Sequence, residues 1–223
     1  MFYWIFNILF KKEVEFMKLA CSYLSSLDKE KTIREFNLSG CDYIHLDVMD
    51  GKFVNNQTLE YNKLKYFFED NKKPLDIHLM VRDVKLYTDL YSLLNPEFIT
   101  FHLEIGDTLE LINYVKEKGI KVGLSIKPET KVNQLIPYIN LIDMVLIMSV
   151  EPGNGGQEFN YSVLSKIEEV RNLNKRITIS IDGGINKNNL HLINTDIIVV
   201  GSYITNGDCI KLIDDLKTES MNL

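Results

Sequence analysis

The chain has few of the residues that mark several large classes of protein. Its three cysteines, Cys21, Cys41 and Cys209, are odd in number and form no CxxC pair. This excludes a disulfide framework and favours a reducing compartment, so we expect the cytoplasm. No apolar run approaches the roughly 18 residues of a membrane span. A formal charge of −6 offers no basic surface for nucleic acid or an anionic membrane, so an anionic ligand must be held by local groups.

The first segment, MFYWIFNILFKKEVEF, places its apolar residues ahead of its lysines. A secretory signal has the reverse order and ends in small residues, which this segment lacks. We expect residues 1–16 to be an extension of unknown role, either helical, disordered or added by an upstream start codon. Met17 then opens the domain.

The remaining chain alternates short β-rich apolar runs with amphipathic stretches of helical period. Helices are predicted over 28–39, 83–93, 107–118 and 161–173, with Asp107 as an N-cap and Gly119 as a C′ residue. Strands are predicted over 18–24, 43–49, 75–81, 98–104, 121–127, 144–150, 177–183 and 196–202. Eight strands, each followed by a helix, predict a single-domain α/β fold over 17–223, a (β/α)8 TIM barrel. A doubly wound open sheet is the structural alternative.

Titratable residues stand near the carboxyl ends of three predicted strands. Side chains alternate along a strand, so His45 and Asp47 share one face, and His78 and Asp182 lie on strands 3 and 7. The active site of a barrel lies at this end. Two imidazoles and two carboxylates suit one divalent transition cation, with Zn²⁺, Fe²⁺, Mn²⁺ and Co²⁺ all admissible. A single histidine of this kind is usually core, but four such residues together predict a metal site.

Glycines follow the last three strands. They are Gly153, Gly155 and Gly156 around Asn154, the pair Gly183-Gly184, and Gly201 beside Ser202. Glycines here let backbone N–H groups approach a phosphate, and a following helix N-terminus favours an anion. One pair alone usually indicates a turn, whereas three after consecutive strands predict a phosphate site.

These segments together resemble the ribulose-phosphate 3-epimerase family. The resemblance covers Met17 to about Lys217, in the expected order. It rests on the segments ACSYLSS, HLDVMDGKFV, LDIHLMV, MSVEPGNGGQEF, SIDGGIN and VVGSYI. It implies an isomerase of the pentose phosphate pathway that interconverts D-ribulose 5-phosphate and D-xylulose 5-phosphate through a metal-stabilised enediolate.

The resemblance also implies roles for individual residues. Metal ligands are expected at His45, Asp47, His78 and Asp182, and Asp47 and Asp182 are also the expected acid/base pair. Met49, Met80 and Met148, which composition alone would assign to the core, are expected to pack on the reacting carbons. Substrate and phosphate contacts are expected at Ser22, His78, Gly153, Asn154, Gly155, Gly156, Asp182, Gly183, Gly184, Gly201 and Ser202.

Three positions depart from the family pattern, and three other functions stay open. Cys21 and Asn55 stand where the family commonly has proline, and Asn154 replaces an aromatic residue. These changes put the rigidity of the loops in doubt but remove no expected ligand. The alternatives are an epimerase of allulose 6-phosphate, a Schiff-base enzyme using Lys127, and a non-catalytic phosphosugar-binding barrel. A small phosphosugar is the expected partner, and a homo-oligomer is possible.

Overall fold

The computed structural model describes residues 17–221, so the extension expected over residues 1–16 lies outside the described residues. Within this range, eight parallel strands pair in chain order, and the last closes on the first to form a barrel. The strands are β1 (Lys18–Ser22), β2 (Tyr43–Met49), β3 (Leu75–Met80), β4 (Phe98–His102), β5 (Lys121–Ile126), β6 (Met144–Met148), β7 (Thr178–Asp182) and β8 (Ile197–Val200). The predicted TIM barrel is confirmed, and the open sheet is excluded.

Helices cover the outside of the barrel. They are α1 (Lys29–Leu38), α2 (Tyr61–Leu64), α3 (Val84–Ser92), α4 (Thr108–Glu117), α5 (Leu164–Leu173), α6 (Ser202–Thr205) and α7 (Cys209–Ser220). The expectation of a helix after every strand is wrong for two strands. Single 3-10 turns, Val132–Leu135 and Leu190–Leu192, follow β5 and β7. Pro137 limits the first because it has no N–H and its ring crowds the preceding turn. Within residues 17–221, no helix is both long and apolar enough to cross a bilayer.

The helix ends follow local capping chemistry. The side chains of Asp28, Asp83 and Asp208 accept hydrogen bonds from the first turns of α1, α3 and α7. Asp107 occupies the predicted N-cap of α4, but it has a φ of 49° and its side chain makes no capping bond. Gly119 is the predicted C′ residue, with a φ of 73° and its N–H donated to the carbonyl of Lys116.

The core has an outer layer between barrel and helices and an inner layer inside the barrel. The inner layer consists of Ala20, Tyr43, Phe98, Met144, Leu146, Met148, Ile197 and Val199. Along β2 and β4, the inward positions change from Tyr43 and Phe98 near the amino ends to titratable residues toward the carboxyl ends, and β3 and β7 add His78 and Asp182 there. The closed barrel therefore brings these polar ends together over an apolar floor.

Glycine at position 123 is required by the packing inside the barrel. A Cβ there would lie 2.2 Å from the Thr100 Oγ1 atom on the adjacent strand. We predict that Gly123→Ala lowers the free energy of unfolding by about 1–3 kcal/mol, because overpacking forces strain. In a Thr100→Ala background the cost should shrink, since the clashing hydroxyl is gone. Chemical denaturation of the four proteins in this cycle measures the coupling. Equal costs in both backgrounds would contradict the packing explanation.

Candidate metal centre and active site

Four side chains converge at the carboxyl end of the barrel. His45 and Asp47 lie on β2, His78 lies beside Asp47 in the register of β3, and Asp182 ends β7. Each offers one ligand atom, and these four atoms all lie within 4.8 Å of one another. The three residues from β2 and β3 are buried, and Asp182 is partly exposed. The structure thus brings together the four residues that the sequence analysis expected to bind a metal.

His45 is oriented by a buried carboxylate. Its Nδ1 atom lies 2.7 Å from Oδ2 of Asp76, so the N–H at Nδ1 is donated to Asp76. Its Nε2 atom is buried, has no hydrogen-bond partner among the described residues, and lies 3.4 Å from Oδ1 of Asp47. An imidazole fixed through one nitrogen, with the other bare beside a carboxylate, is the usual arrangement of a metal-ligating histidine.

The two carboxylate oxygens of Asp47 have different partners. Its Oδ1 atom lies 3.2 Å from Nδ1 of His78, and its Oδ2 atom accepts a hydrogen bond of 2.7 Å from the Ser22 hydroxyl. One oxygen of the carboxylate is therefore directed toward the cluster and the other toward β1. Ser22, an expected substrate contact, thus lies beside Asp47.

The two aspartates have different pKa values because their neighbours differ. Burial raises the pKa of Asp47, but His45 and His78 outweigh burial and hold this pKa well below its ordinary range. Burial and the charge of Asp47 raise the pKa of Asp182 from 3.8 to about 6. One carboxylate is thus stabilised as the anion, and the other holds a proton more readily.

The donor set fits a divalent transition cation. Two imidazole nitrogens and two carboxylate oxygens match the ligand chemistry of zinc, iron and related ions. The Nε2 atom of His45 supports the fit most directly, because a buried polar atom without a hydrogen-bond partner among the described residues is costly and a metal ion would satisfy it. These residues can hold one such ion.

Above the cluster lies a cavity bounded by the loops after β6, β7 and β8. Among the predicted site residues, it is lined by Ser22, Asp47, Met80, Met148, Gly153, Asn154, Gly155, Gly156, Asp182, Gly183, Gly184, Gly201 and Ser202. His45 and His78 are fully buried and are absent from the lining. Met49 lines a separate depression beside Thr58 and Tyr61. Of the residues expected to contact the substrate or the reacting carbons, all but His78 and Met49 line this cavity.

The loops after β2 and β6 contact each other over this cavity. The side-chain amide of Asn56 donates a hydrogen bond of 2.9 Å to the carbonyl of Gly153, and Val54 packs against Gly153. Two departures from the family pattern are chain neighbours of this contact: Asn55, which is exposed, and Asn154, which lines the cavity. Cys21 is buried in the outer core layer. None of the three contributes an atom to the four-residue cluster.

Glycine is required at position 184 in the loop after β7. Its φ is +61°, and a Cβ there would lie 2.4 Å from the backbone nitrogen of Phe159. The loop after β7 thus packs directly on the backbone that follows the β6 loop. Gly183 also has a positive φ, of +115°. This pair lets two loop backbones meet at the cavity without side chains between them.

The sequence analysis missed three residues behind the cluster. Asp76 orients His45, while His102, at the end of β4, lies 2.9 Å from His78 through their Nε2 atoms. Glu104 in turn lies 3.3 Å from Nδ1 of His102. Burial lowers the pKa of His102 to about 4 despite this carboxylate, so its imidazole is neutral near pH 7. The signal was available, because Asp76 shares the inward face with His78, and His102 and Glu104 lie near the carboxyl end of the strand predicted over 98–104.

Comparison with known sequences identifies the family. Residues 18–205 match the model of the ribulose-phosphate 3-epimerase family. The chain belongs to this family. As a member of it, the chain is an isomerase of the epimerase type.

Curated relatives agree over most of the chain. A ribulose-phosphate 3-epimerase of Helicobacter pylori is 36% identical over 197 residues, covering 84% of this chain and 90% of that protein. The Bacillus subtilis protein of the same name is 34% identical, with 77% and 83% covered. That of Encephalitozoon cuniculi is 35% identical, with 94% and 95% covered.

Solved structures of similar shape support the fold. A 3-hexulose-6-phosphate synthase from Salmonella typhimurium superposes with a TM-score of 0.70 at 15% identity, covering 92% of this chain and 99% of that chain. An N-(5'-phosphoribosyl)anthranilate isomerase from Pyrococcus furiosus gives 0.59 at 17% identity, with 93% and 100% covered. At such low identity these matches bear on the barrel alone.

The environment of Glu104 predicts that the stability of the fold depends on pH. Partial burial raises the pKa of Glu104, but hydrogen bonds from His102, the Lys127 N–H and the Thr130 hydroxyl lower it from 4.5 to about 2. A depressed carboxyl pKa stabilises the fold above pH 4.5, and this contribution is lost as pH falls through about 2. We predict that Glu104→Gln costs about 1–3 kcal/mol near neutral pH and progressively less below pH 4.5.

Urea unfolding of metal-free protein, repeated at several pH values, measures this difference. Glu168→Gln, at an exposed position of α5, is the matched control and should differ little from the parent throughout. A cost at Glu104 that does not change with pH would show that hydrogen bonding to the ionised carboxylate is not its origin.

Proposed function

We propose that the protein interconverts D-ribulose 5-phosphate and D-xylulose 5-phosphate by epimerisation at C3. One observation carries the proposal: two aspartates from separate strands, Asp47 and Asp182, line a glycine-rich cavity directly above a cluster able to hold a metal. Membership of the ribulose-phosphate 3-epimerase family supports the choice of substrate. We further propose that residues 17–223 form the catalytic domain and that the enzyme acts in the cytoplasm, in keeping with its free cysteines.

His45, Asp47, His78 and Asp182 would hold one divalent cation. When bound, such a cation supplies Lewis-acid stabilisation of negative charge developing on neighbouring substrate oxygens, worth several kcal/mol. The family resemblance supports this reading, together with the bare nitrogen of His45. Zn²⁺, Fe²⁺, Mn²⁺ and Co²⁺ all remain admissible.

Asp47 and Asp182 are the proposed acid/base pair. The C3 proton lies next to a ketone, so its removal leaves an enediolate that can be reprotonated on either face. Asp47, whose pKa is depressed, takes the proton in one direction, and Asp182, whose pKa is about 6, delivers one. Carboxylates with pKa values pushed apart suit the two roles. In the reverse reaction the roles exchange.

The cavity wall accounts for the remaining contacts. Ser22, already hydrogen-bonded to Asp47, can contact the sugar, while the backbone N–H groups of the glycine loops bind the phosphate without basic side chains. Met80 and Met148 pack on the reacting carbons and exclude water, whereas Met49 lies outside this wall. Because the protein's net charge is −6, phosphate binding depends on these local backbone groups and not on the overall charge.

Replacement of either aspartate tests the acid/base assignment. We predict that Asp47→Asn and Asp182→Asn each lower kcat by about 10²- to 10⁴-fold, because a positioned acid or base contributes that much. A coupled assay of xylulose 5-phosphate formation and deuterium exchange at C3 in D₂O measure the two halves of the reaction. The exposed Asp70→Asn, away from the cavity, should retain parental activity.

Removal of metal tests the second element of the proposal. After dialysis against a strong chelator, we predict a loss of at least about 10²-fold in activity, because several kcal/mol of charge stabilisation disappears. One equivalent of Zn²⁺, Mn²⁺, Fe²⁺ or Co²⁺ should restore it. Full activity in protein shown by elemental analysis to be metal-free would contradict metal dependence.

Observations on particular residues favour this function over the alternatives. The Lys127 ammonium lies over the Phe53 ring and 3.3 Å from Glu151, and Lys127 does not line the cavity, which argues against a Schiff base. A barrel that only binds a phosphosugar would not need two carboxylates with separated pKa values. The uninterrupted pairs Gly155-Gly156 and Gly183-Gly184 favour the pentose substrate over allulose 6-phosphate. Turnover of the two sugars, compared directly, decides between them.

A further inference from the structure

His102 and Glu104 form a buried chain that ends on His78. The His102 ring is fully buried, its Nε2 atom lies 2.9 Å from Nε2 of His78, and its Nδ1 atom lies 3.3 Å from Oε2 of Glu104. Phe53 packs against the His102 ring with 4.7 Å between centroids. The chain therefore runs from the rim at Glu104 to the buried cluster, and none of its polar contacts is explained by the acid/base chemistry.

The donors around Glu104 decide where the protons of this chain lie. Its Oε1 atom accepts hydrogen bonds from the Lys127 N–H, at 3.0 Å, and from the Thr130 hydroxyl. Glu104 is therefore an ionised carboxylate that can only accept. The nitrogen facing its other oxygen, Nδ1 of His102, must carry a hydrogen.

The geometry of His78 makes His102 its acceptor when a cation is bound. The Nδ1 atom of His78 faces the cluster, 3.2 Å from Oδ1 of Asp47, and is the nitrogen that would bind a cation. A histidine that ligates through Nδ1 carries its hydrogen on Nε2. That N–H points at Nε2 of His102, 2.9 Å away, which can accept because Nδ1 of His102 faces the carboxylate of Glu104.

We propose that His102, held by Glu104, is a positioning residue that fixes His78 in the Nε2–H tautomer and so presents its Nδ1 atom to a divalent cation. The inference rests on the proposed metal-dependent function. It makes the two histidine ligands unequal, because His45 is oriented directly by the carboxylate of Asp76, whereas His78 is oriented by a carboxylate acting through a second imidazole. Such outer partners typically change metal affinity by about 10- to 100-fold.

Metal affinity, measured apart from turnover, tests this proposal. Metal-free protein competes with a chromophoric chelator for Zn²⁺ at fixed pH. We predict that His102→Phe, which keeps a ring but has no acceptor, weakens Zn²⁺ binding by about 10- to 100-fold. His102→Gln, whose amide oxygen can accept from Nε2 of His78, should recover at least half of the loss on a logarithmic scale. Ser125→Ala removes a buried hydroxyl at the paired position of β5 and should bind as the parent does.

A second measurement needs no variant. In ¹⁵N-histidine-labelled, Zn²⁺-loaded protein, long-range ¹H–¹⁵N correlation spectra should show His78 with its proton on Nε2 and His102 with its proton on Nδ1. His78 protonated on Nδ1 would overturn the proposal. So would a folded His102→Phe protein with parental Zn²⁺ affinity, or a His102→Gln protein as weak as His102→Phe, since that result indicates packing alone. If the parent itself binds no divalent ion, the proposed metal-dependent function fails instead.

Discussion

Two carboxylates and two imidazoles crowded at the mouth of a closed barrel are the constraint on which the rest of this structure depends. Their ligand atoms lie within 4.8 Å of one another, with Asp47, His45 and His78 buried. Like charges so close cannot both remain in a low dielectric unless protons or a cation compensate them. The depressed pKa of Asp47 and the raised pKa of Asp182 are the metal-free protein's response to this crowding. A single bound divalent cation would compensate the same negative charges.

The surrounding barrel supplies the orientation that such a cluster needs. Each histidine is fixed through the nitrogen that faces away from the cluster, by Asp76 in one case and by His102 in the other. Strand pairing between β2 and β3 sets Asp47 beside His78, so the backbone ladder itself determines their spacing. The glycine loops meet above this platform through the close approach of Gly184 to the backbone of Phe159, and their glycines line the cavity together with Met80 and Met148. Rigid strands carry the ligands, and loops carry the expected substrate contacts, as is usual for this fold.

The sequence predicts the barrel and the cluster because both follow from period-two alternation. His45 and Asp47 are two residues apart on a strand that the apolar pattern of the sequence predicts with the observed bounds. The register of a closed parallel barrel brings the ends of such strands together. The glycine loops are predicted on a separate ground, the glycines that follow the last three predicted strands. Strand ends were placed up to two residues too far, as at β1, where the Ser22 hydroxyl accepts from the Leu24 N–H and turns the chain.

The parts that sequence could not predict depend on particular contacts in three dimensions. The contact between His78 and His102 depends on the rotation of both rings across two neighbouring strands, and sequence carries no signal for ring rotation. Met49 has the spacing of an inward residue, yet it lies against Thr58 and Tyr61 where the strand gives way to its loop. Only 3-10 turns follow β5 and β7. Pro137 has no N–H to continue the first turn, and the side chains of Asn186 and Asn189 accept backbone N–H groups ahead of the second.

The central claim is that these four side chains gather around one divalent cation. Anomalous diffraction from crystals grown with Mn²⁺ or Zn²⁺ tests it most directly. The account predicts one strong peak per chain, within about 2.0–2.2 Å of a nitrogen of His45, a nitrogen of His78 and an oxygen from each of Asp47 and Asp182. Crystals with no peak there, or a peak bound by other residues while these four keep hydrogen bonds to one another, would contradict it.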